Sequence, residues 1–196
     1  MKNDFSNEFG GINFIDLGCS GGLDPRWAPF ERFINYTGFD SRKEACDELQ
    51  SKNWPYRTAQ FLPYAIAGED QEMSLYLTKS PFCTSLRKPN MPWLKRFTFH
   101  AGFNVENIEK VKCTTMDTLA KNENIRADIM KIDIQGMEGP VLKSSNCLFD
   151  ELIALEVESG FTRNYEEESV FWEINQLMEA RGFIMYEIFF KQCRAK

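Results

Sequence analysis

The chain reads as an α/β protein with a mostly parallel central sheet, helices on both faces and a small added antiparallel strand pair. Three observations predict it. Apolar runs of strand length alternate with stretches of helical periodicity, the pattern of βαβ units with right-handed crossovers. The first run, residues 12–17, stops at glycines, as a buried parallel strand does before a tight turn into a helix. Residues 73–78 and 111–116 instead alternate at period two, as half-buried strands do, and are expected to pair.

Taken in order, residues 1–11 are a polar lead-in. Asp24, Pro25 and Pro29 predict a short first helix starting near one of the two prolines. Residues 36–40 are β-branched and aromatic and end in an acid, giving a second strand. Ser41, with Glu44 three residues later, reads as a capping box for the next helix. Residues 61–67 form a third expected strand, with Pro63 near its start, and Gly68, Glu69 and Asp70 a turn. From 80 to 104 the pattern dissolves among Pro81, Pro89 and Pro92, the aromatics Phe82, Trp93, Phe97, Phe99 and Phe103, and the basic residues Arg87, Lys88, Lys95 and Arg96. An unpatterned segment of this length in a compact domain is a functional lid or a disordered insertion. Asp117 is a candidate cap for a short helix. Residues 127–134 are a strand ending at Gln135 and Gly136, followed by a helix over 137–144 and a strand over 152–157. Val170, Phe171, Ile174, Leu177 and Met178 share one face of a helix over 166–181 that Gly182 closes. Residues 183–190 read as the strand that ends the sheet. The expected organisation is one domain over 12–190 with a tail at 191–196.

Composition narrows the function. A chain of 196 residues and 22.8 kDa holds one domain and leaves no room for a separate substrate domain. A net charge of -6 argues against non-specific binding to nucleic acid or membrane surfaces. No apolar run approaches the roughly 18 residues of a membrane span. The six cysteines, at 19, 46, 83, 113, 147 and 193, are scattered without a CxxC pair, and no signal peptide precedes the first strand, so a reduced cytoplasmic protein is expected. His100 is the only histidine; an imidazole can accept a proton near neutral pH, which gives it a catalytic reading, but in the unpatterned segment over 80–104 it reads first as a surface or packing residue. With that cysteine spacing it gives no zinc site, and no metal is assigned, although the argument does not extend to oxygen-ligated Mg²⁺ or Ca²⁺.

Three acids, Asp16, Asp40 and Asp133, terminate strands, and in a doubly wound sheet such ends converge on one crevice. Each also has a plainer reading as the cap of the helix that follows. Gly18, Gly21 and Gly22 let the backbone pass close under a flat ligand. A carboxylate two residues before Gly18 repels a pyrophosphate and suits a cationic amine or sulfonium. The dinucleotide pattern fits poorly, because Gly-x-Gly-x-x-Gly begun at Gly18 would need glycine at Ser20 and Leu23.

The Asp-x-Gly-x-x-x-Gly spacing of Asp16, Gly18 and Gly22 resembles the S-adenosylmethionine loop of Rossmann-like methyltransferases. Together with residues 36–40 and 115–119, and above all the Lys-Ile-Asp-x-x-Gly-x-Glu block of Lys131, Ile132, Asp133, Gly136 and Glu138, the chain resembles the FkbM-type S-adenosylmethionine-dependent methyltransferases from residue 12 to 190. The resemblance implies a Rossmann-like class I methyltransferase fold. It also implies methyl transfer from S-adenosyl-L-methionine to a substrate oxygen, usually a hydroxyl on a small molecule, natural product or sugar, with S-adenosyl-L-homocysteine as product. Carried over by position, Asp16, Gly18 and Gly22 would contact the cofactor's amino-acid end, with Cys19 and Ser20 in the same loop. Asp40, helped by Ser41, would hold the ribose, Ala67 and Gly68 would border the adenine, and Asp133 would lie near the methyl group. Asp133, Glu138 and Glu158 are the candidates for the base, and residues 80–104 could close over an anionic or sugar-like acceptor. A small-molecule or carbohydrate acceptor is the expected partner, without nucleic acid or membrane, and a homo-oligomer is compatible with it. Two other readings stand beside this one. The first is a catalytically silent cofactor-binding module of the same fold. The second is an NAD-dependent oxidoreductase, disfavoured by Ser20 and Leu23 and by the lack of room for a catalytic domain.

Overall fold

Five strands build the central sheet: β1 (Ile12–Leu17), β2 (Ile34–Phe39), β3 (Thr58–Leu62), β7 (Ile129–Ile132) and β8 (Ala154–Val157), ordered β3-β2-β1-β7-β8 and parallel throughout. The computed structural model describes residues 10–20 and 22–189; most of the polar lead-in, Gly21 and the tail lie outside the described residues. The chain builds outward from β1 to β3, then returns to the other side of β1, so the order reverses between β1 and β7. Ligand crevices of open α/β sheets form at such a switch point, above the carboxyl ends of the strands.

Alternation along the strands sends side chains to two cores, as period-two geometry requires. Phe14, Ile34, Tyr36 and Phe61 face helix α1 (Lys43–Gln50), which contributes Cys46 and Leu49, and a 3-10 helix over Pro25–Phe33, which contributes Trp27. On that face Phe14, Tyr36, Tyr56 and Trp54 stack in a file, with centroids 6.3, 4.8 and 5.5 Å apart. Ile15, Leu17, Met130 and Ile132 face the opposite layer, made by α3 (Met116–Glu123), α4 (Glu138–Ser144), α5 (Asn146–Phe149) and α6 (Phe171–Glu179), through Leu119, Val141, Leu142, Leu148, Ile174 and Met178. Helices therefore cover both faces. The added pair is β5 (Glu72–Thr78) antiparallel to β6 (Val105–Thr114), with the short β4 (Ala65–Ile66) parallel to the far end of β6.

Several boundaries differ from those the sequence suggests. The expected strand over 61–67 breaks at Pro63, which has no N–H to continue a ladder; β3 ends at Leu62 and β4 joins the small sheet instead. The Ser41 capping box does not form. Asp40 Oδ1 takes the N–H of Arg42 at 2.9 Å, and α1 starts at Lys43 without a side-chain cap. Thr115, not Asp117, caps α3 by accepting the N–H of Thr118 at 3.1 Å, while Asp117 accepts the N–H of Cys147 at 2.8 Å and ties α3 to α5. The helix expected over 166–181 begins at Phe171, because Glu168 and Glu173 turn back to accept the N–H groups of Tyr165 and Val170, both at 2.9 Å. Residues 183–189 form no strand: Ile184 and Tyr186 are 90% and 98% exposed. Side chains hold the ends of this segment, Phe183 against Phe149 and Phe189 under the guanidinium of Arg26, so the apolar run is anchored at both ends but no described edge is paired with it.

Residues 80–104 are ordered around short helical pieces, 3-10 turns over Pro81–Cys83 and Thr98–Phe103 and helix α2 (Met91–Leu94). Leu94 and Phe103 are buried with Tyr165. Backbone hydrogen bonds zip this segment to the loop after β8, from Asn90 N–H to Asn164 O and from Glu166 N–H to Lys88 O, both 2.8 Å. The two segments thus form one cap beyond the ends of β7 and β8.

Leu142 is fully buried at the centre of the α4 face. Leu142→Ala is expected to lower the unfolding free energy in urea by about 2–5 kcal/mol, whereas Ile184→Ala, at an exposed position, should change it by less than about 0.5 kcal/mol.

Candidate active site

The turn after β1 is built by close approach. Gly18 has φ +87°, and a Cβ there would lie 1.9 Å from the carbonyl oxygen of Asp133. The N–H of Asp133 in turn donates to Leu17 O at 2.9 Å, so this turn and the end of β7 are a single seam. The N–H groups of Gly18 and Cys19 both donate to Phe39 O, at 2.9 and 3.1 Å, which fixes the turn to β2 as well. Ser20 is exposed at its tip, and Gly22, at φ +70°, runs beneath Trp54. Cys19 points inward against Cys46 and the backbone of Gly38 and has no exposed surface, so its side chain belongs to the core.

Asp16 also departs from its expected role. Its side chain is 0% exposed and accepts from Tyr36 Oη at 2.8 Å and Lys131 Nζ at 2.9 Å. Burial raises its pKa, and Lys131 opposes that rise. Burial alone would lower Lys131, but the hydrogen-bonded carboxylate of Asp16, with Asp133 and Glu156 further off, turns the net shift upward. Asp16 therefore braces β1, β2 and β7 from inside and presents no atom to the amino-acid end of a cofactor. Asp40, beyond β2, keeps 10% of its side-chain surface, and Arg42 engages its Oδ1 through both its N–H and its Nε. Ser41 beside it is half-buried. Ala67 is 0% exposed, and Gly68 lies against Pro140, to which a Cβ would come within 3.0 Å. Because β4 has left the central sheet, this pair sits under α4, and Ala67 has no surface to offer an adenine.

Among the candidate bases, Asp133 is half-buried at the end of β7, and Gln135 Nε2 donates to its Oδ1 at 2.8 Å. Glu138 is 3% exposed in the first turn of α4; its two oxygens accept the N–H groups of Ile134 at 3.1 Å and Gly136 at 2.9 Å. It ties the loop from inside and cannot meet an acceptor, which corrects its candidacy. Glu158 is exposed past the end of β8, one strand further out, with its N–H on Ile132 O. His100 is half-buried, with Nδ1 2.7 Å from Phe97 O. Among the described residues, no group of three or more His, Cys, Asp or Glu side chains could hold a metal ion. Sequence reasoning missed Gln135, Tyr165 and Ser85, which hold the loop after β7. The one available signal was that Gln135 precedes a glycine in a turn.

Glu138 makes stability depend on pH. Burial raises its pKa from 4.5 to about 8, against the pull of its backbone hydrogen bonds. Between those values the folded protein keeps a proton that the unfolded chain has released, so the group's contribution is complete below the lower value and is lost as pH rises toward the upper one. The limiting slope is about 1.4 kcal/mol per pH unit. Asp16 and Glu168, also raised by burial, act in the same direction. The unfolding free energy in urea should fall from pH 5 to pH 8, and Glu138→Gln should flatten that fall; an identical slope in the variant would exclude Glu138 as its source.

The FkbM methyltransferase domain family matches residues 24–185, from just after the glycine turn to just after α6. No curated protein and no solved structure matches the chain. No helix among the described residues is long and apolar enough to cross a membrane. The match takes in all of the central sheet except β1, and the five-stranded parallel sheet with its small mixed sheet is that of a Rossmann-like methyltransferase. The chain belongs to the FkbM methyltransferase family, whose members are S-adenosylmethionine-dependent methyltransferases.

Proposed function

We propose that the protein is an O-methyltransferase that methylates a hydroxyl of a small molecule or sugar, with Asp133 as the base. The observation that carries this reading is the convergence of the Gly18 turn, Asp40 and Asp133 at the carboxyl ends of three adjacent strands, β2, β1 and β7. The residues fit the family's cofactor. Gly18 and Gly22 keep side chains out of the turn, Ser20 offers an exposed hydroxyl, and Arg42 engages Oδ1 of Asp40, leaving the second oxygen for ribose hydroxyls. When bound, S-adenosylmethionine supplies an electrophilic methyl group on a sulfonium. The chain's own task is alignment, from which most of the rate of an in-line displacement derives. Asp133 takes the hydroxyl proton as the O–CH₃ bond forms and the S–CH₃ bond breaks. The cap offers Phe82, Phe97 and Phe99, all partly exposed, as stacking surface. Arg87 and Lys88 are already paired with Glu167 and Glu166, which favours a neutral hydroxylated acceptor over an anion. The five described cysteines are free, which supports a reducing compartment such as the cytoplasm.

Calorimetric titration with S-adenosylmethionine and S-adenosylhomocysteine, followed by transfer of a labelled methyl group to a panel of hydroxylated compounds, tests this reading; failure to bind either cofactor form overturns it. Asp40→Ala should weaken S-adenosylhomocysteine binding by about 1–3 kcal/mol through loss of a ribose acceptor, and an unchanged dissociation constant would remove Asp40 from the site. Asp133→Asn should leave cofactor affinity within about twofold and slow transfer by a factor on the order of 10² or more. Normal transfer by that variant would exclude Asp133 as the base.

A further inference from the structure

We propose that Gln135 is a positioning residue for Asp133, with its amide oriented by the phenol of Tyr165, so that docking of the cap and orientation of the base are one event. Gln135 has φ +52° and is followed by Gly136 at φ +98°, two successive left-handed residues. A non-glycine residue in that region carries a cost and persists where its surroundings over-determine it. Here they do. Ser85 Oγ donates to Gln135 O at 2.5 Å, and Glu138 accepts the N–H groups on either side, those of Ile134 and Gly136. The side chain of Tyr165 packs against Gly136, where a Cβ would come within 3.2 Å of its ring.

From that fixed backbone the side chain of Gln135 bridges two groups. Its Oε1 is 3.0 Å from Tyr165 Oη, and its Nε2 donates to Asp133 Oδ1 at 2.8 Å. The phenol is 2% exposed, and burial pushes its pKa far above the physiological range, so it remains a donor. Its single proton serves both Gln135 Oε1 and Cys83 O, each at 3.0 Å. A donor facing one end of the amide leaves the NH₂ end toward Asp133, and a hydrogen bond given to a carboxylate favours its ionised form. Among the described residues, the charged or titratable groups that feel Asp133 include Asp16 on β1, Lys131 on β7, Glu138 on α4 and Tyr165 itself. Gln135 is neither charged nor titratable, and its amide touches the carboxylate directly.

The partners that hold Gln135 belong to the cap. Ser85 and Cys83 lie in the segment over 80–104, and Tyr165 is joined to it by the bridge to Pro89 and by the backbone bond between Asn90 and Asn164. An acceptor that settles under the cap therefore meets a carboxylate already oriented by it. This inference rests on Asp133 being the base, but its test does not require methyl transfer.

The carboxyl carbon of Asp133 would be titrated by NMR in the full chain, in Tyr165→Phe and in Gln135→Met, with Asp133→Asn to assign the signal. Both variants should raise the Asp133 midpoint by about one pH unit through loss of the donor to its charged form, and the double variant should add little to either. Tyr165→Phe keeps the ring on Gly136 and carries the test if Gln135→Met fails to fold. An unmoved midpoint with a lowered melting temperature would make the network merely structural and overturn the proposal. Calorimetry with S-adenosylhomocysteine in parallel separates the two readings. A wild-type protein that binds no cofactor fails the functional reading, whereas an unmoved midpoint fails this one.

Discussion

Between Gly18 and the carbonyl oxygen of Asp133 there is no room for a methyl group, since a Cβ would sit 1.9 Å from that oxygen. That contact holds the turn after β1 against the end of β7, the two strands between which the sheet changes direction. Everything proposed for the site depends on it, because it brings the glycine turn and the Lys-Ile-Asp block, far apart in sequence, into one wall. A larger residue at position 18 would have to push β7 away from β1, and with it Asp133, Gln135 and the cap.

Behind this wall lies a buried charge pair, Asp16 with Lys131, completed by the hydroxyl of Tyr36. Burying an ion pair is costly, and its net contribution to stability is often near zero or unfavourable compared with an apolar replacement. Losing one partner is another matter, because the remaining charge has no water to turn to. The pair is therefore better understood as a lock on register than as a source of stability: Asp16 stands opposite Lys131 and Gly38 in the two parallel ladders, and its oxygens reach one neighbouring strand each.

The layered architecture was legible because it follows from local pattern: strands β1, β2 and β7, the antiparallel pair and the α4 and α6 faces all carry their periodicity on the surface of the sequence. What was not legible came from competition between partners. Ser41 is a good cap by type, but Asp40 reaches the same end of the helix first and takes the N–H of Arg42. Residues 183–189 are an apolar run of strand length and strand-forming type, yet composition says nothing of whether an edge lies within hydrogen-bond reach. The prolines of the cap hide its order, because Leu94, Phe103 and Tyr165 are buried together by contacts across distant parts of the chain that no window of sequence displays.

The acids show the same limit at the site. Asp16, Asp40, Asp133 and Glu138 all follow or end strands, and by residue type any of them could serve a ligand. Burial and partners separate them. Asp16 and Glu138 have nearly all their surface covered and both oxygens engaged, one by Tyr36 and Lys131 and the other by two backbone N–H groups. Asp40 and Asp133 retain surface and face the crevice end of the sheet. The same chemistry is thus divided between building and acting: two carboxylates spend their hydrogen-bonding capacity inside so that the turns carrying the other two stay where the strands deliver them. A loop that must present a carboxylate without moving needs its own backbone donors satisfied, and Glu138 does this for the very residues, 134 to 136, that set the direction of Asp133.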